Sequence, residues 1–179
     1  MNVRCVITGR DATGKSIVAR DELVPPKSIL GYEFHRLWGS DAPPILPSDG
    51  RTPVPRMYFP LPGGYRFGYF VMPPNSDAIP PEQFLAGLPQ MQEMVPGLVD
   101  VLEPEHPGMH TTDTVDFDVV LSGEIWLELD DGKEVLLKAG ECVVQNGTRH
   151  AWHNRSNEKC VVAVCVLGAR SVANGADSR

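Results

Sequence analysis

The sequence predicts an all-β domain, a sandwich or barrel, on three observations. Six short apolar runs recur at a spacing of roughly eight to twelve residues after about residue 110, turn-forming residues separate them, and proline punctuates most of what comes before. At 179 residues, with 42% hydrophobic and 22% charged side chains, the chain has the length and composition of one folded domain. That composition excludes intrinsic disorder, a coiled coil and a collagen-like fibre.

The elements follow in order. Val3 to Thr8 and Lys15 to Ala19 read as a β-hairpin around a turn through Asp11, Ala12, Thr13 and Gly14. Pro25-Pro26, Pro43-Pro44, Pro73-Pro74 and Pro80-Pro81 break the next region, and aromatic, β-branched runs such as Tyr65 to Met72 favour extended structure between the breaks. One short helix is predicted near 81–102, where Phe84, Leu85, Leu88, Met91, Met94 and Val95 recur at three- and four-residue spacing; Pro89 and Pro96 should kink or shorten it. The strands that follow are Thr114 to Leu121, Glu124 to Leu129, Glu134 to Leu137, Glu141 to Gln145, His150 to Asn154 and Lys159 to Leu167. Among the connections, Asp131-Gly132 and Asn146-Gly147 are favoured tight-turn dipeptides. The expected organisation is an N-terminal extension over 1–104, a barrel core over 105–170 and a disordered tail over 171–179.

Sixteen Lys plus Arg against twenty-three Asp plus Glu give a net charge of -7, with no basic run to neutralise phosphates, so nucleic acid is not an expected partner. The longest apolar stretch, Cys160 to Leu167, is far below the ~20 residues of a membrane-spanning helix. The start lacks the apolar segment of a secretory leader, and a cytoplasmic location is expected. Cys5, Cys142, Cys160 and Cys165 form no Cys-x-x-Cys pair and read as core residues.

Residues 9–16 match Gly-x-x-x-x-Gly-Lys-Ser, the phosphate-binding loop of nucleotide hydrolases. That chemistry needs a helix opening at Lys15-Ser16, so that its amides and dipole face the phosphates, and a parallel sheet around it. Only Ile17 to Val24 precede Pro25-Pro26, and no alternation of strands and helices follows. The hairpin is therefore the expected structure there, without nucleotide.

In an extended strand over 110–118, His110, Thr112, Thr114, Asp116 and Asp118 share one face, and Val115, Phe117, Val119 and Leu121 share the other. An imidazole, hydroxyls and two carboxylates on the inward face of a small barrel imply a lined cavity, with the opposite face dry. Downstream lies a second polar segment, Gly140 to Asn154.

The two segments together resemble the paired signatures of the cupin superfamily. The first has the form His-x-His, three or four residues, Glu, six residues, Gly; His110, Thr112, Asp116 and Gly123 fall on those positions. The second has the form Gly, five residues, Pro-x-Gly, two residues, His, three residues, Asn; Gly140, Gly147, His150 and Asn154 answer it, with Gln145 at the Pro position and one residue missing before it. The resemblance implies a double-stranded β-helix, or jelly roll, with an N-terminal strand extension, one short helix and homodimer pairing through that extension. It also implies a small-molecule partner and a divalent metal, Zn, Mn or Fe, with His110, Asp116 and His150 as ligands. Thr112 stands in place of a third imidazole and can at most hydrogen-bond a bound water; without metal, His110 and Asp116 could form a hydrogen-bonded pair with the histidine as acid or base.

Two imidazoles and one carboxylate still make a facial triad, which leaves positions open for substrate or dioxygen. Lewis-acid polarisation needs fewer ligands than redox cycling, so the expected chemistry is lyase-like, dehydration or decarboxylation, with His110 and His150 at the reacting centre and Asp118 as proton shuttle. An Fe(II) dioxygenase and a non-catalytic metabolite-binding protein are the alternatives. Thr112, Gln145 and Trp152 should line the pocket, while Trp152 and Trp126 also suit plain core roles. His106 should be a surface residue, His35 a satisfied, partly buried one, and His153, of opposite parity to His150, should point away from the cavity.

Overall fold

The alternation after residue 110 resolves into two sheets with an apolar core between them. A computed structural model of the chain describes residues 2–106 and 108–172. It runs β1 (Val3–Arg10), β2 (Ser16–Val24), β3 (Lys27–Ile29), β4 (Tyr32–Ser40), β5 (Tyr65–Met72), α1 (Pro81–Met94), β6 (Thr114–Ser122), β7 (Glu124–Glu128), β8 (Glu134–Lys138), β9 (Cys142–Asn146), β10 (Ala151–His153) and β11 (Cys160–Gly168). The larger sheet has the antiparallel order β3-β4-β5-β11-β6-β9, and the smaller has the order β10-β7-β8. This is the mostly β, one-helix jelly roll expected, and the N-terminal extension supplies three strands of the larger sheet. The tail lies, from residue 173 on, outside the described residues.

Val120 and Val162 of the large sheet close on Ile125, Leu127 and Leu137 of the small one, with Met72 and Cys160, to form the principal core. A second cluster seats the helix: Met91 and Val95 pack on Ile29 and Phe34 of the extension. The helix ends at Met94, ahead of Pro96, and a single 3-10 turn, Val99–Val101, follows, so the expected reach to 102 was too long. Pro89 does not break it. It lies on the exposed face of the helix, and Leu85, whose carbonyl it cannot bond, is exposed as well.

The Gly9–Ser16 motif is a hairpin turn. β1 and β2 pair antiparallel on either side of it, and the Asp11 carboxylate accepts from the Thr13 amide at 2.8 Å, the Thr13 hydroxyl at 2.7 Å and the Lys15 amide at 3.0 Å. The residues that would cradle a phosphate are spent closing the turn.

Two expectations need correction. The polar face of β6 is buried as expected, but its apolar face is open: Phe117 and Leu121 are 44% and 46% exposed. Cys142 is exposed on β9, whereas Cys160 is buried and Cys5 and Cys165 half-buried. Among the described residues no helix is long and apolar enough to cross a membrane.

Ile125 is fully buried between the sheets. Ile125→Ala should therefore cost about 3 kcal/mol, and Phe117→Ala on the open face less than about 1 kcal/mol, as read from urea unfolding midpoints at constant m.

Candidate functional site

His110 lies just before β6 and His150 just before β10, and their backbones pair with each other. The His110 amide donates to the His150 carbonyl at 2.9 Å and the reverse bond is 3.0 Å, an isolated antiparallel bridge. Opposed residues of such a pair project to the same side, so the rings lie 4.2 Å apart between centroids. Each ring is also turned by its own loop. His110 Nδ1 is 3.0 Å from the Gly108 carbonyl and His150 Nδ1 is 2.8 Å from the Thr148 carbonyl. A carbonyl only accepts, so both Nδ1 atoms carry the hydrogen and both Nε2 atoms keep a lone pair in the neutral ring.

Asp116 and Asp118, on the inward face of β6, line the same cavity. Burial raises Asp116 to about 6, against the pull of the Thr114 hydroxyl. Burial, reinforced by Asp116, raises Asp118 to about 7. The imidazoles move the other way: burial and the neighbouring His110 lower His150 to about 4, and burial lowers His110. Near neutral pH the site therefore holds two uncharged imidazoles, an Asp116 that is mostly ionised and an Asp118 that is still partly protonated.

The cavity encloses about 140 Å3, similar to engineered cavities that take up a benzene-sized guest. Its wall is mainly aromatic and aliphatic, with Phe34, Tyr58 and Phe70 from the extension, Phe84 and Met91 from α1, and Trp152 from β10. No Lys or Arg stands among its described lining residues. Trp152 meets His150 edge-on at 5.8 Å.

Of the residues expected here, His110, Asp116, Asp118, His150 and Trp152 are brought together. Thr112 and Gln145 are buried, but neither lines the cavity. The Thr112 hydroxyl is bonded to that of Thr114 at 2.8 Å. The Gln145 amide donates to the Thr148 carbonyl, which also anchors His150, so Gln145 acts on the site through that loop. His106 is exposed as expected. His153 points away and bridges Asp77 and Glu128, at 2.8 Å to each. His35 departs from expectation: it is fully buried, and among the described residues neither ring nitrogen finds a well-aligned hydrogen-bond partner, with Glu33 at 3.5 Å.

Some residues had no signal in the sequence. Tyr58 comes from the Pro-rich stretch between β4 and β5; burial, then the charges of Asp118 and Asp116, push its phenol up. Arg149 grips Glu103 with two bonds of 2.7 Å and Asp130 with a third of 3.0 Å. That ion pair ties the approach to His110 to the loop that carries His150.

The donor chemistry suits a divalent ion in part. Both Nε2 lone pairs are available, their Nδ1 atoms are anchored on carbonyls as metal ligands usually are, and Asp116 Oδ1 is buried without a hydrogen-bond partner. The spacing does not suit a closed set: among the described residues, no three His, Cys, Asp or Glu side chains group closely enough to hold a metal.

Residues 93–167 match the family model described as Cupin domain. Phomopsin biosynthesis cluster protein D of Diaporthe leptostromiformis is 41% identical over 84% of this chain and 70% of its own length. Phomopsin biosynthesis cluster protein C' of the same fungus is 41% identical over 46% of each chain, so this chain spans about half the length of that relative. The cupin-domain-containing oxidoreductase virC of Hypocrea virens is 26% identical over 83% of this chain and 65% of its own.

A carboxyl whose pKa is higher in the fold than in the unfolded chain costs stability as pH climbs from its ordinary value through its folded one. For Asp118 that window is about pH 4 to about 7. Asp118→Asn removes the cost. Relative to the parent protein, the variant should gain on the order of a few kcal/mol across that window and no more above it, in urea unfolding at stepped pH.

Proposed function

The chain belongs to the cupin family, and on that footing we propose that it is a small-molecule lyase of a biosynthetic pathway that dehydrates an uncharged, largely apolar substrate by acid–base catalysis. The observation that carries the proposal is the pairing of a proton-retaining Asp118 with neutral imidazoles in one apolar cavity. Groups whose pKa values are driven in opposite directions by a shared environment are suited to opposite proton-transfer roles.

In this scheme the substrate is a β-hydroxy carbonyl compound. The His110 Nε2 lone pair takes the proton from the carbon beside the carbonyl. Asp118 delivers its proton to the departing hydroxyl. A C–H and a C–O bond break, a C=C bond forms and water leaves; the proton on His110 then returns to Asp118, and the site is restored. Dehydration is favoured over decarboxylation because a carboxylate substrate would meet two carboxyl groups and no Lys or Arg among the described lining residues.

The second reading, a metal-dependent oxygenase, is favoured by the carbonyl-anchored imidazoles and by the relative described as an oxidoreductase. In it, His110, Asp116 and His150 would be the ligands, and they would have to close on the ion from the wider spacing they have here.

Incubation with aromatic β-hydroxy ketones should give products lighter by one water in mass spectra. Asp118→Asn should slow this by about 10²-fold or more, and matched substrates with a carboxylate should fail at pH 8. Turnover unchanged in Asp118→Asn sinks the scheme. So does stoichiometric iron, in protein purified without a nickel column, that disappears in His150→Ala. Ligand binding without turnover would leave a binding protein.

A further inference from the structure

The dehydration scheme leaves one developing charge without a partner. When His110 takes the proton beside the carbonyl, negative charge gathers on the carbonyl oxygen, and an enclosed apolar cavity stabilises it only through a donor already in place. The groups given roles so far do not supply one. Both imidazole Nδ1–H groups are spent on the carbonyls of Gly108 and Thr148, the Asp118 proton goes to the departing hydroxyl, and no Lys or Arg stands among the described lining residues.

Three side chains of the described wall keep a donor free: Tyr32, Tyr58 and Trp152. Among the described residues none of the three has a hydrogen-bond partner for its O–H or N–H, although a phenol or indole inside a protein ordinarily finds one. Their surroundings tell them apart. The Tyr32 ring stacks on Phe70 at 6.1 Å, and its phenol, raised chiefly by burial, feels the charge of Asp77, which sits with His153 outside the cavity. Trp152 stands edge-on to His150. Tyr58 feels Asp118 and Asp116, the pair that would deliver and hold the proton. It is also firmly set. Its amide donates to the Pro96 carbonyl at 2.8 Å, and Phe34 and Phe59 meet its ring edge-on at 5.8 and 5.0 Å. Just before it, Arg36 donates to the carbonyls of Arg56 and Met57 at 2.6 and 2.7 Å, and Arg66 to that of Met57 at 3.1 Å. Two guanidiniums thus anchor a coil segment that carries no motif, and the side chain it presents to the cavity is this phenol.

We propose that Tyr58 is a further catalytic residue, whose hydroxyl donates a hydrogen bond to the substrate carbonyl, a bond that strengthens as negative charge gathers on that oxygen. The catalytic part of the assignment rests on the dehydration reading; the capture of a carbonyl does not. No proton changes hands at Tyr58. Burial and the two carboxylates hold its phenol up, so it keeps its hydrogen throughout, and the carbonyl re-forms as water leaves. The substrate class narrows with it: an aryl ketone whose carbonyl reaches Tyr58 and whose β-hydroxyl reaches Asp118, on an otherwise apolar body.

Acetophenone, which has the carbonyl but no hydroxyl to lose, is the probe, with ethylbenzene as the counterpart lacking the oxygen. In infrared difference spectra the carbonyl band of bound acetophenone should lie at lower frequency in the parent protein than in Tyr58→Phe. Acetophenone affinity should fall about 5-fold in that variant, with ethylbenzene affinity and melting temperature unchanged. For an aromatic β-hydroxy ketone, kcat should fall about 10²-fold or more, far beyond any change in KM. A band and an affinity indifferent to Tyr58→Phe overturn the assignment, as does the absence of saturable acetophenone binding. So does a shift that follows Trp152→Phe instead, which moves the donor to the indole. A parent protein that binds acetophenone with the lowered band and turns nothing over sinks the dehydration alone, and upholds Tyr58 as the group that receives a ligand carbonyl.

Discussion

The two backbone hydrogen bonds between His110 and His150 are the constraint on which the site depends. They lie outside the named strands, at the point where the approach to β6 crosses the loop into β10. A reciprocal bridge fixes which way both side chains project, so two imidazoles from distant parts of the chain meet in one cavity without contact between the rings having to hold them. The surrounding interactions keep the bridge in place. Arg149 clamps Glu103, and Gly147, at φ 61, lets the turn pass so close that an added Cβ would stand 3.0 Å from the Thr112 carbonyl. Asn154 belongs to the same economy: fully buried, its side chain accepts from Ser156 at 3.0 Å and donates to the Glu158 carbonyl at 2.7 Å. The motif positions that carry no chemistry are those that shape the backbone.

The cavity is completed by residues outside the motifs. A jelly-roll core of six short strands would leave the inward face of β6 open to water. Here β4 and β5 extend the sheet and α1 seats Met91 and Phe84 against the opening. This enclosure is what shifts the titrating groups, since burial is the largest influence on Asp116, Asp118, His110 and His150 alike. Two arginines hold the intervening coil: Arg36 donates to the carbonyls of Pro55, Arg56 and Met57, and Arg66 to those of Ser40 and Met57. Tyr58 follows directly on that anchored stretch. The extension thus acts as the dielectric wall of the site.

The parts legible in the sequence are those set by local rules. Period-two alternation and turn dipeptides located β6 to β11 to within a residue or two, and strand parity placed Asp116 and Asp118 inward and His153 outward. The cupin spacings paired His110 with His150. What stayed hidden depends on distant contacts. Thr112 and Gln145 have inward parity, but parity cannot tell a cavity wall from the packed zone beside it, where each finds a nearer partner. Tyr58 lies in coil, with no period to read. The open face of β6 misled because apolar side chains on a strand signify burial only if something covers them, and strand patterning does not say what does.

Asp116 and Asp118 are two residues apart on one strand, which puts both on one face, and the charge of Asp116 is felt at Asp118. In a medium that resists even one buried charge, the second ionisation is harder because of the first, and the pair behaves as one titrating unit. Near neutral pH that unit holds about one proton that neither residue owns outright. Asp116, whose charged form the Thr114 hydroxyl favours, gives up its proton first, and its charge adds to burial in keeping Asp118 protonated at a pH where a solvated carboxyl would be spent. Its negative charge is also what would steady an imidazole that had just taken a proton from carbon. The neighbour that looks redundant in the sequence is the one that sets the working state of the other.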